Sequence, residues 1–419
     1  MKIVIKIVLI AATIFVLTVL LVFVLTSISP IYRFAAPKPF SGDDIFNPYR
    51  NIDTSLSWKR ANFHTHTQVS GPLNECHHTP KQVYDSLAGF GYDIVTFSNH
   101  NELTAHPFDS SLQVNVYEHG YNLIKYHKLV FGSDKVIHFD NLLPIFNFQK
   151  QFQLDFLSKT CDFIQLNHPS RTISVTKRLM QRLTGYRIIE LDSGKTTEQE
   201  YWDWALSAGH YSFALANDDL HYPDRTRCTA VRCNFLNTAS ARYRDIKKTL
   251  LEGGYYCMRV PDFGHGDWKI KHLKNKALAR IKSIGMQDST IYMSVSQCAD
   301  SIKVTGQDHT TLKLAANTDT ISYAFRPNDA YARLAAYFPD GEVIYSNPFA
   351  RYDADKAESP FVVAKHVIDI PLTILFNLVI AAVAALIIYA IYRLSNIQIK
   401  PRRVVIKVPT IRKDEEPHR

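Results

Sequence analysis

The sequence has few of the features that mark several common protein classes. Its 419 residues include six cysteines and no CxxC pair, so the cysteines indicate neither a thiolate metal site nor a redox motif. Cys228 and Cys233 are the nearest candidates for a disulfide, and no connectivity is favoured. The chain also has no long internal repeat and no low-complexity linker, which gives no sign of a repeat architecture.

Excess charge is also missing from most of the chain. The formal net charge is +9, but residues 1–27 and 393–419 hold ten basic and three acidic side chains, a surplus of seven, so the remainder carries only +2. Nucleic-acid binding is therefore not expected. One local basic group at helical spacing predicts a solvated helix face or a contact with anionic lipid head groups. Its members are Lys269, Lys271, Lys274, Lys276, Arg280 and Lys282.

Two apolar runs are long enough to cross a bilayer. Residues 3–27 are almost uninterrupted Ile, Val, Leu, Phe and Ala, broken only by Lys6. Residues 370–392 have Asn377 as their only strongly polar side chain. A cleaved signal peptide is the alternative for the first run, and a buried core helix for the second. Because the first is longer than an ordinary signal core and the second is of spanning length, we expect two transmembrane helices.

The basic residues outside these runs predict the orientation of the chain. Lys2 and Lys6 lie at the N-terminal end, and the predicted tail, residues 393–419, is rich in Arg and Lys. By the positive-inside rule both termini face the cytoplasm. Residues 28–369 are then expected on the outer, periplasmic or extracellular, side of a two-pass membrane protein. Residues 28–58 are interpreted as a linker before the folded part.

Nine metal-capable side chains recur in order between residues 64 and 221. They are His64, His66, Glu75, His100, Glu118, His127, His168, Asp219 and His221. Several follow short β-like runs, such as residues 93–97, 162–166 and 213–216, while residues 80–90 and 198–208 read as helices. In a parallel barrel all strand ends open on one face, so side chains distant in sequence converge there. Imidazoles and carboxylates in this pattern predict a metal cluster.

Over roughly residues 59–285, these motifs resemble those of the PHP (polymerase and histidinol phosphatase) family of metal-dependent phosphoesterases. His64-Thr65-His66 is similar to the HxH motif, Ser98-Asn99-His100 to Thr-Asp-His, His168-Pro169-Ser170-Arg171 to His-Pro-x-Arg, and Asp219-Leu220-His221 to Asp-x-His. The resemblance implies an α/β fold with a distorted (β/α)7 barrel, here flanked by the two transmembrane helices.

The resemblance also implies three metal positions. The first would use His64, His66, Glu118 and Asp219, the second Glu118, His127 and His168, and the third His100 and His221 with one further ligand. The family usually supplies that ligand from a Ser-Asp-Gly segment, whereas here Ser70 is followed directly by Gly71. Counting back from Thr79 favours Glu75 for this position. His77 and His78 are its rivals.

The implied chemistry is hydrolysis of a phosphate mono- or diester, with Glu118 and Asp219 essential and two or three divalent Zn, Mn or Fe ions as cofactors. Arg171 is expected to hold a phosphate oxygen through its planar fork. Glu190 resembles a position on the barrel rim, and a surface carboxylate is the alternative. The phosphate ester is expected to belong to a lipid head group or to a cell-surface glycan. The alternative functions are a metal-dependent amidohydrolase and a non-catalytic binding or sensing ectodomain.

Beyond the predicted barrel the pattern changes period. Residues 286–352 contain short alternating runs separated by turn residues at 306–307, 317–318, 327–328 and 339–341. We interpret them as a small antiparallel β domain that packs against the barrel and orients it. Binding of carbohydrate is the alternative role for this domain.

Overall fold

The computed structural model describes residues 2–70, 74–193, 197–362 and 364–397. Within them lie eight α-helices: α1 (Lys2–Leu25), α2 (Pro80–Ala88), α3 (Asn147–Leu157), α4 (Lys177–Met180), α5 (Gln199–Ser207), α6 (Tyr243–Glu252), α7 (Trp268–Lys276) and α8 (Ile370–Ser395). The same residues contain eighteen β-strands: β1 (Tyr32–Arg33), β2 (Asp44–Phe46), β3 (Lys59–Asn62), β4 (Ile94–Val95), β5 (Val116–His119), β6 (Lys128–Phe131), β7 (Phe163–Leu166), β8 (Ile188–Asp192), β9 (Phe213–Ala216), β10 (Arg232–Leu236), β11 (Tyr255–Arg259), β12 (Ile281–Gln287), β13 (Thr290–Thr305), β14 (Thr311–Ala324), β15 (Tyr331–Tyr337), β16 (Val343–Ser346), β17 (Phe349–Tyr352) and β18 (Val367–Ile368). The predicted α/β class is confirmed.

The chain divides into two compact units. One is Thr26–Phe376, which contains every candidate ligand, and the other consists of Met1–Leu25 with Asn377–Arg419. Helices α1 and α8 are long and apolar enough to span a membrane, and they occupy the two predicted apolar runs. The predicted tail lies outside the described residues from position 398 onward.

Two sheets carry the segments that bear the candidate ligands. The five-stranded sheet has the order β5-β6-β7-β8-β9, with β7, β8 and β9 parallel and β6 antiparallel to both its neighbours. The eleven-stranded sheet follows β12-β13-β15-β16-β11-β10-β3-β4, in which β3 and β4 are parallel. Strand β14 pairs with β13, and β17 pairs with β15 and β2. Strands β1 and β18 form a separate antiparallel pair.

Neither sheet closes among the described strands, so the structure does not show the expected (β/α)7 barrel. Two isolated parallel bridges, His100↔Glu118 and Thr65↔Leu220, instead connect segments of the two sheets. Beside these bridges Asn101 and Asp219 have positive φ angles of 50° and 49°. Both residues depart from extended backbone, and each bridge is a single residue pair. The two sheets thus meet at the candidate ligands.

The strands that lead to this meeting point are buried in the hydrophobic core. All residues of β7, β8 and β9 are buried, as expected for parallel strands covered on both faces. Trp202 of α5 is fully buried in the same core.

Helix α2 begins at a capping box formed by Thr79 and Gln82, with Pro80 in its first turn. Both predicted helices, residues 80–90 and 198–208, are therefore present with slightly shorter bounds.

The strands after residue 286 are longer than the sequence suggested. The expected short runs merge into the long strands β13 and β14, and the predicted turn at 317–318 is wrong. Asn317 has a φ angle of 49° but lies inside β14. The pairing shifts register between Ser294 and Ala299 of β13, so a bulge absorbs the extra residues and the strand continues. Strand β16 pairs with β11, and the division into two domains stays a prediction.

Two smaller expectations are also corrected. Lys271 is buried, with its Nζ 3.6 Å from Asp262 Oδ1, and the guanidinium of Arg280 lies over the ring of Phe235. The predicted basic face is therefore not continuous, because some of its cations pack inward. All six cysteines are described and free, so Cys228 and Cys233 form no disulfide.

Candidate metal centre

Eight of the nine candidate ligands lie in a strand or in the segment that adjoins one, and Glu75 lies in the loop before α2. His64 and His66 follow β3, and His100 follows β4. Glu118 lies within β5, His127 immediately precedes β6, His168 follows β7, and the Asp219–His221 segment follows β9. Since the two sheets meet here, ligands separated by more than 150 positions of sequence are brought together in space.

The first group combines His64, His66, Glu118 and Asp219. His64 Nε2 lies 3.1 Å from both Glu118 Oε2 and Asp219 Oδ1. His66 Nε2 lies 3.3 Å from the same two oxygens. One ligand atom from each of the four residues lies within 4.8 Å of all the others. Two imidazoles and two carboxylates at these distances fit a single bound cation.

The second group surrounds the other oxygen of Glu118. Its Oε1 lies 3.2 Å from His127 Nδ1 and 3.3 Å from His168 Nε2. His100 Nε2 lies 3.4 Å from Glu118 Oε2, and His100, Glu118 and His127 also qualify as a group that could hold an ion. Glu118 therefore lies between two groups of imidazoles, as a bridging ligand would.

The third predicted position contains Glu75. Its Oε2 lies 2.9 Å from His221 Nε2 and 3.2 Å from His100 Nε2. The Glu75 side chain is about half exposed, unlike the buried ligands of the first group. Its rival His77 is exposed, and His78 is partly buried.

A buried carboxylate orients the first histidine. Glu190 Oε1 lies 2.8 Å from His64 Nδ1, and Glu190 Oε2 accepts a hydrogen bond from the backbone N–H of His168 at 3.1 Å. If His64 donates through Nδ1, its Nε2 presents a lone pair towards Glu118 and Asp219. Glu190 is fully buried, so the alternative of a surface carboxylate is wrong.

The donor atoms of the first group fit a metal. The Nε2 atoms of His64 and His66 are buried and have no hydrogen-bond partner, although carboxylate oxygens surround them. Burial alone would raise the pKa of Glu118 and of Asp219, but the surrounding imidazoles lower both well below the usual carboxyl range. Burial lowers the pKa of His66, and it lowers that of His127 to about 4. Burial alone would also lower the pKa of His64, His100 and His221, but the neighbouring carboxylates raise all three, so these imidazoles would release a proton on binding an ion. Ionised carboxylates and neutral imidazoles are the forms that bind divalent ions.

The backbone is unusual at two of the candidate ligands. His168 has a φ angle of 24° and Asp219 one of 49°, values that residues with a Cβ rarely adopt. Such conformations persist where surrounding contacts enforce them, and they cluster at functional sites. The hydrogen bond from the His168 N–H to Glu190 supplies one such contact.

Arg171 lies at the centre but already has partners in the protein. Its Nη1 donates to Asp219 Oδ2 at 2.7 Å and its Nη2 to the Ser193 carbonyl at 3.1 Å. Its side chain is 21% exposed, so part of it remains accessible. The structure thus places Arg171 against a candidate ligand, and phosphate binding by Arg171 stays a prediction.

Two asparagines complete the site, and sequence reasoning did not assign them a role. Asn167 Nδ2 donates to Glu118 Oε1 at 2.9 Å, and Asn99 Oδ1 accepts from the Thr67 backbone N–H at 2.7 Å. Each asparagine directly precedes a candidate histidine, which is the only sequence signal that could have indicated them.

Comparisons with known proteins are sparse. No family model matches the sequence, and no curated protein matches it. One similar solved structure is described as a two-domain protein containing a predicted PHP-like metal-dependent phosphoesterase from Bacteroides vulgatus ATCC 8482. It covers 74% of this chain and 98% of its own, at 14% identity and a TM-score of 0.37. A similarity this low establishes neither family nor activity, so the chemistry has to be derived from the side chains.

Proposed function

We propose that this protein is a membrane-anchored, metal-dependent phosphoesterase. The observation that carries the proposal is Glu118, whose two oxygens lie within 3.4 Å of ring nitrogens from five histidines. A fully buried carboxylate surrounded in this way suits a ligand shared by adjacent divalent ions. We further propose that the strands around Glu118 belong to a distorted (β/α)7 barrel of the PHP type.

In the proposed hydrolysis, the bound ions and the surrounding side chains have different roles. Divalent ions bound here would polarise a phosphoryl oxygen and lower the pKa of a bound water. Glu118 and Asp219 would hold the ions, and Glu190 would keep His64 in the tautomer that presents Nε2. Arg171 would hold Asp219 in place and share its guanidinium with a phosphate oxygen. Within this scheme no side-chain nucleophile is required.

The proposed location is the outer side of a membrane. Helices α1 and α8 would be the two spans, with both termini in the cytoplasm and residues 28–369 outside. Support comes from the length and apolar character of these two helices and from the distribution of Lys and Arg in the sequence.

Metal content and turnover test the proposal on the full chain in detergent. Elemental analysis should find two to three equivalents of Zn, Mn or Fe in preference to Ca, because imidazoles dominate the ligand set. The loaded protein should hydrolyse phosphomonoesters or phosphodiesters in a substrate screen. The matched control is Glu252→Gln, which alters a partly buried glutamate at the end of α6 that accepts a hydrogen bond from Asn51.

The outcomes separate the alternatives. Less than one equivalent of metal, with no gain on reconstitution, would contradict the proposed centre. Full metal content without turnover of any phosphate ester would favour a binding or sensing role. Turnover of amides or cyclic ureas alone would indicate an amidohydrolase.

A further inference from the structure

Three loops beside the metal centre form one continuous surface. The Leu123 backbone N–H donates to the Leu142 carbonyl at 2.9 Å, and the Ile173 N–H donates to the Ile124 carbonyl at 3.0 Å. The ammonium of Lys150 donates to the Pro144 carbonyl at 2.6 Å. The loops of residues 120–127, 139–146 and 171–175 are therefore held together, and we refer to them as the apolar loop surface.

This surface exposes large apolar side chains. Leu123 and Ile173 are each 65% exposed, Ile145 is 50% exposed and Phe146 is 46% exposed. Scattered apolar residues are common on proteins, but such side chains on adjoining loops mark an interaction site. Lys125, Lys177 and Arg178 lie exposed in or beside the same loops. Basic residues beside apolar ones suit a surface of anionic lipid.

The apolar loop surface adjoins the segments from which both apolar helices depart. Asn141 donates to the carbonyl of Thr26, directly after α1. The rings of Phe146 and Phe148 pack against Phe376, in the first two turns of α8, at centroid distances of 6.4 Å and 5.3 Å. All these residues belong to the unit Thr26–Phe376. If α1 and α8 span a bilayer, chain continuity places this surface at the bilayer boundary.

The same loops end at the metal centre. The loop carrying Leu123 ends at His127, and the loop carrying Ile173 begins at Arg171, shortly after His168. In addition, His119 Nε2, one residue after Glu118, lies 2.9 Å from the Phe139 carbonyl. The exposed apolar tips and the candidate ligands are therefore opposite ends of the same short segments.

We propose that the apolar loop surface inserts into the head-group region of the bilayer, so that the site takes phosphate esters of membrane lipids. The substrate part of this inference rests on the proposed phosphoesterase function. Insertion would bring a lipid phosphate beside the ligands at the loop ends, without the lipid having to leave the bilayer.

Insertion can be measured independently of turnover. The full chain is placed in nanodiscs of phosphatidylcholine and phosphatidylglycerol, and tryptophan is introduced as Leu123→Trp or Ile173→Trp. Leu314→Trp is the matched control, because Leu314 is 60% exposed but lies on β14. Brominated phosphatidylcholine should quench the added fluorescence at positions 123 and 173 and leave that at 314 unchanged. Equal quenching, or none, at all three positions would overturn the proposal.

The substrate class is tested by the ratio of two rates. Turnover of phosphatidic acid or phosphatidylglycerol in vesicles is compared with turnover of soluble p-nitrophenyl phosphate and bis(p-nitrophenyl) phosphate. Leu123→Ser with Ile173→Ser should lower the vesicle-to-soluble ratio by roughly 10-fold or more. The reason is that each aliphatic side chain buried in the bilayer favours insertion of the loops by a factor of about 10. Leu314→Ser should leave the ratio unchanged.

The two proposals fail in different ways. An unchanged ratio in the double variant, or hydrolysis of soluble esters alone by the unaltered protein, would overturn the lipid substrate while leaving the phosphoesterase intact. Quenching at positions 123 and 173 with no hydrolysis of any ester would contradict the proposed enzyme and support the membrane surface.

Discussion

Glu118 is the residue on which the centre most depends. Replacing it by alanine removes both oxygens that the imidazoles of the first two groups share, and of these imidazoles Asp219 contacts only those of His64 and His66. We expect Glu118→Ala and Asp219→Ala to lower turnover by at least ~10³-fold, on the order of 4 kcal/mol of transition-state stabilisation. Turnover and metal content of each variant are the measurements.

Arg171→Ala provides the contrast within the same site. Its guanidinium contacts Asp219 but contributes no metal-binding atom. We expect kcat/KM to fall by roughly 10- to 100-fold while metal content is retained. Full metal and near-normal turnover in Glu118→Ala would instead show that the proposed cluster is wrong.

Glu75 gives a second test at the scale of single residues. Its Oε2 lies within 3.2 Å of ring nitrogens of His100 and His221. Glu75→Gln should therefore lower metal content by about one equivalent, since an amide is a weaker ligand than a carboxylate. His77→Ala and His78→Ala are the matched controls and should retain all the metal. Loss of metal in a histidine variant alone would assign the third position to that histidine.

The order of the candidate ligands could be read from the sequence because metal-binding residue types stand out at strand ends. The contacts that orient them could not. Nothing in the sequence shows that Asn167 donates to Glu118, or that His168 and Asp219 adopt positive φ angles. These features depend on backbone paths that converge only in the folded chain. The burial of Lys271 was unpredictable for the same reason.

At the scale of elements, a buried ion pair joins α5 to β15. Arg333 Nε donates to Asp203 Oδ1 at 2.8 Å and its Nη2 to Oδ2 at 2.6 Å, while Tyr331 Oη donates to Oδ1 at 3.1 Å. Arg333→Met should destabilise the fold by about 3–5 kcal/mol, because it removes the buried cation of Asp203 and leaves only the exposed His309 as a cation beside that carboxylate. Unfolding by denaturant, followed by circular dichroism, measures the loss.

The double variant Asp203→Leu with Arg333→Met is the control for lost packing. It should recover most of the stability, because neither charge is then left buried alone. A double variant no more stable than Arg333→Met would show that packing, rather than charge, accounts for the effect.

The same pair predicts how stability depends on pH. Burial alone would raise the pKa of Asp203, but Arg333 outweighs it and holds that pKa below the usual value. Its contribution is therefore complete above the unfolded pKa of about 3.9 and is lost as pH falls through the lower folded value. The unaltered protein should lose more stability than the double variant between about pH 4 and pH 2. Denaturant midpoints across this range test the expectation, and identical acid dependence would contradict it.

Element lengths were less predictable than element types. Helix α2 was found near its expected bounds because Thr79, Pro80 and Gln82 encode its start locally. The sequence pattern predicted two short runs in place of β14 because Asn317 has turn character. The register shift in β13 depends on pairing with strands distant in sequence, which local patterns do not contain. Sheet closure is likewise a property of the assembled strands.

At the scale of the whole molecule, the segments next to the two apolar helices are tied together. Strand β1 pairs with β18, the Asp369 N–H donates to the Ile31 carbonyl at 2.8 Å, and Arg33 Nε lies 2.8 Å from Asp369 Oδ2. If α1 and α8 both span a bilayer, as proposed, they begin from adjacent points of one folded unit and enter the bilayer from the side on which that unit lies. An even number of spans then places both termini on the opposite side.

Combined with the basic residues near the ends of the chain, this connection predicts that a reporter fused after Arg419 is cytoplasmic and that one inserted beside Asp288, in the exposed turn between β12 and β13, is external. Protease added to intact cells should cleave within Thr26–Phe376 and spare the C-terminal reporter. Opening the cells should expose that reporter to the protease, which controls for its intrinsic resistance. An externally cleaved C-terminal reporter together with an external folded unit would mean that α8 does not cross the membrane, and the single remaining anchor would be α1.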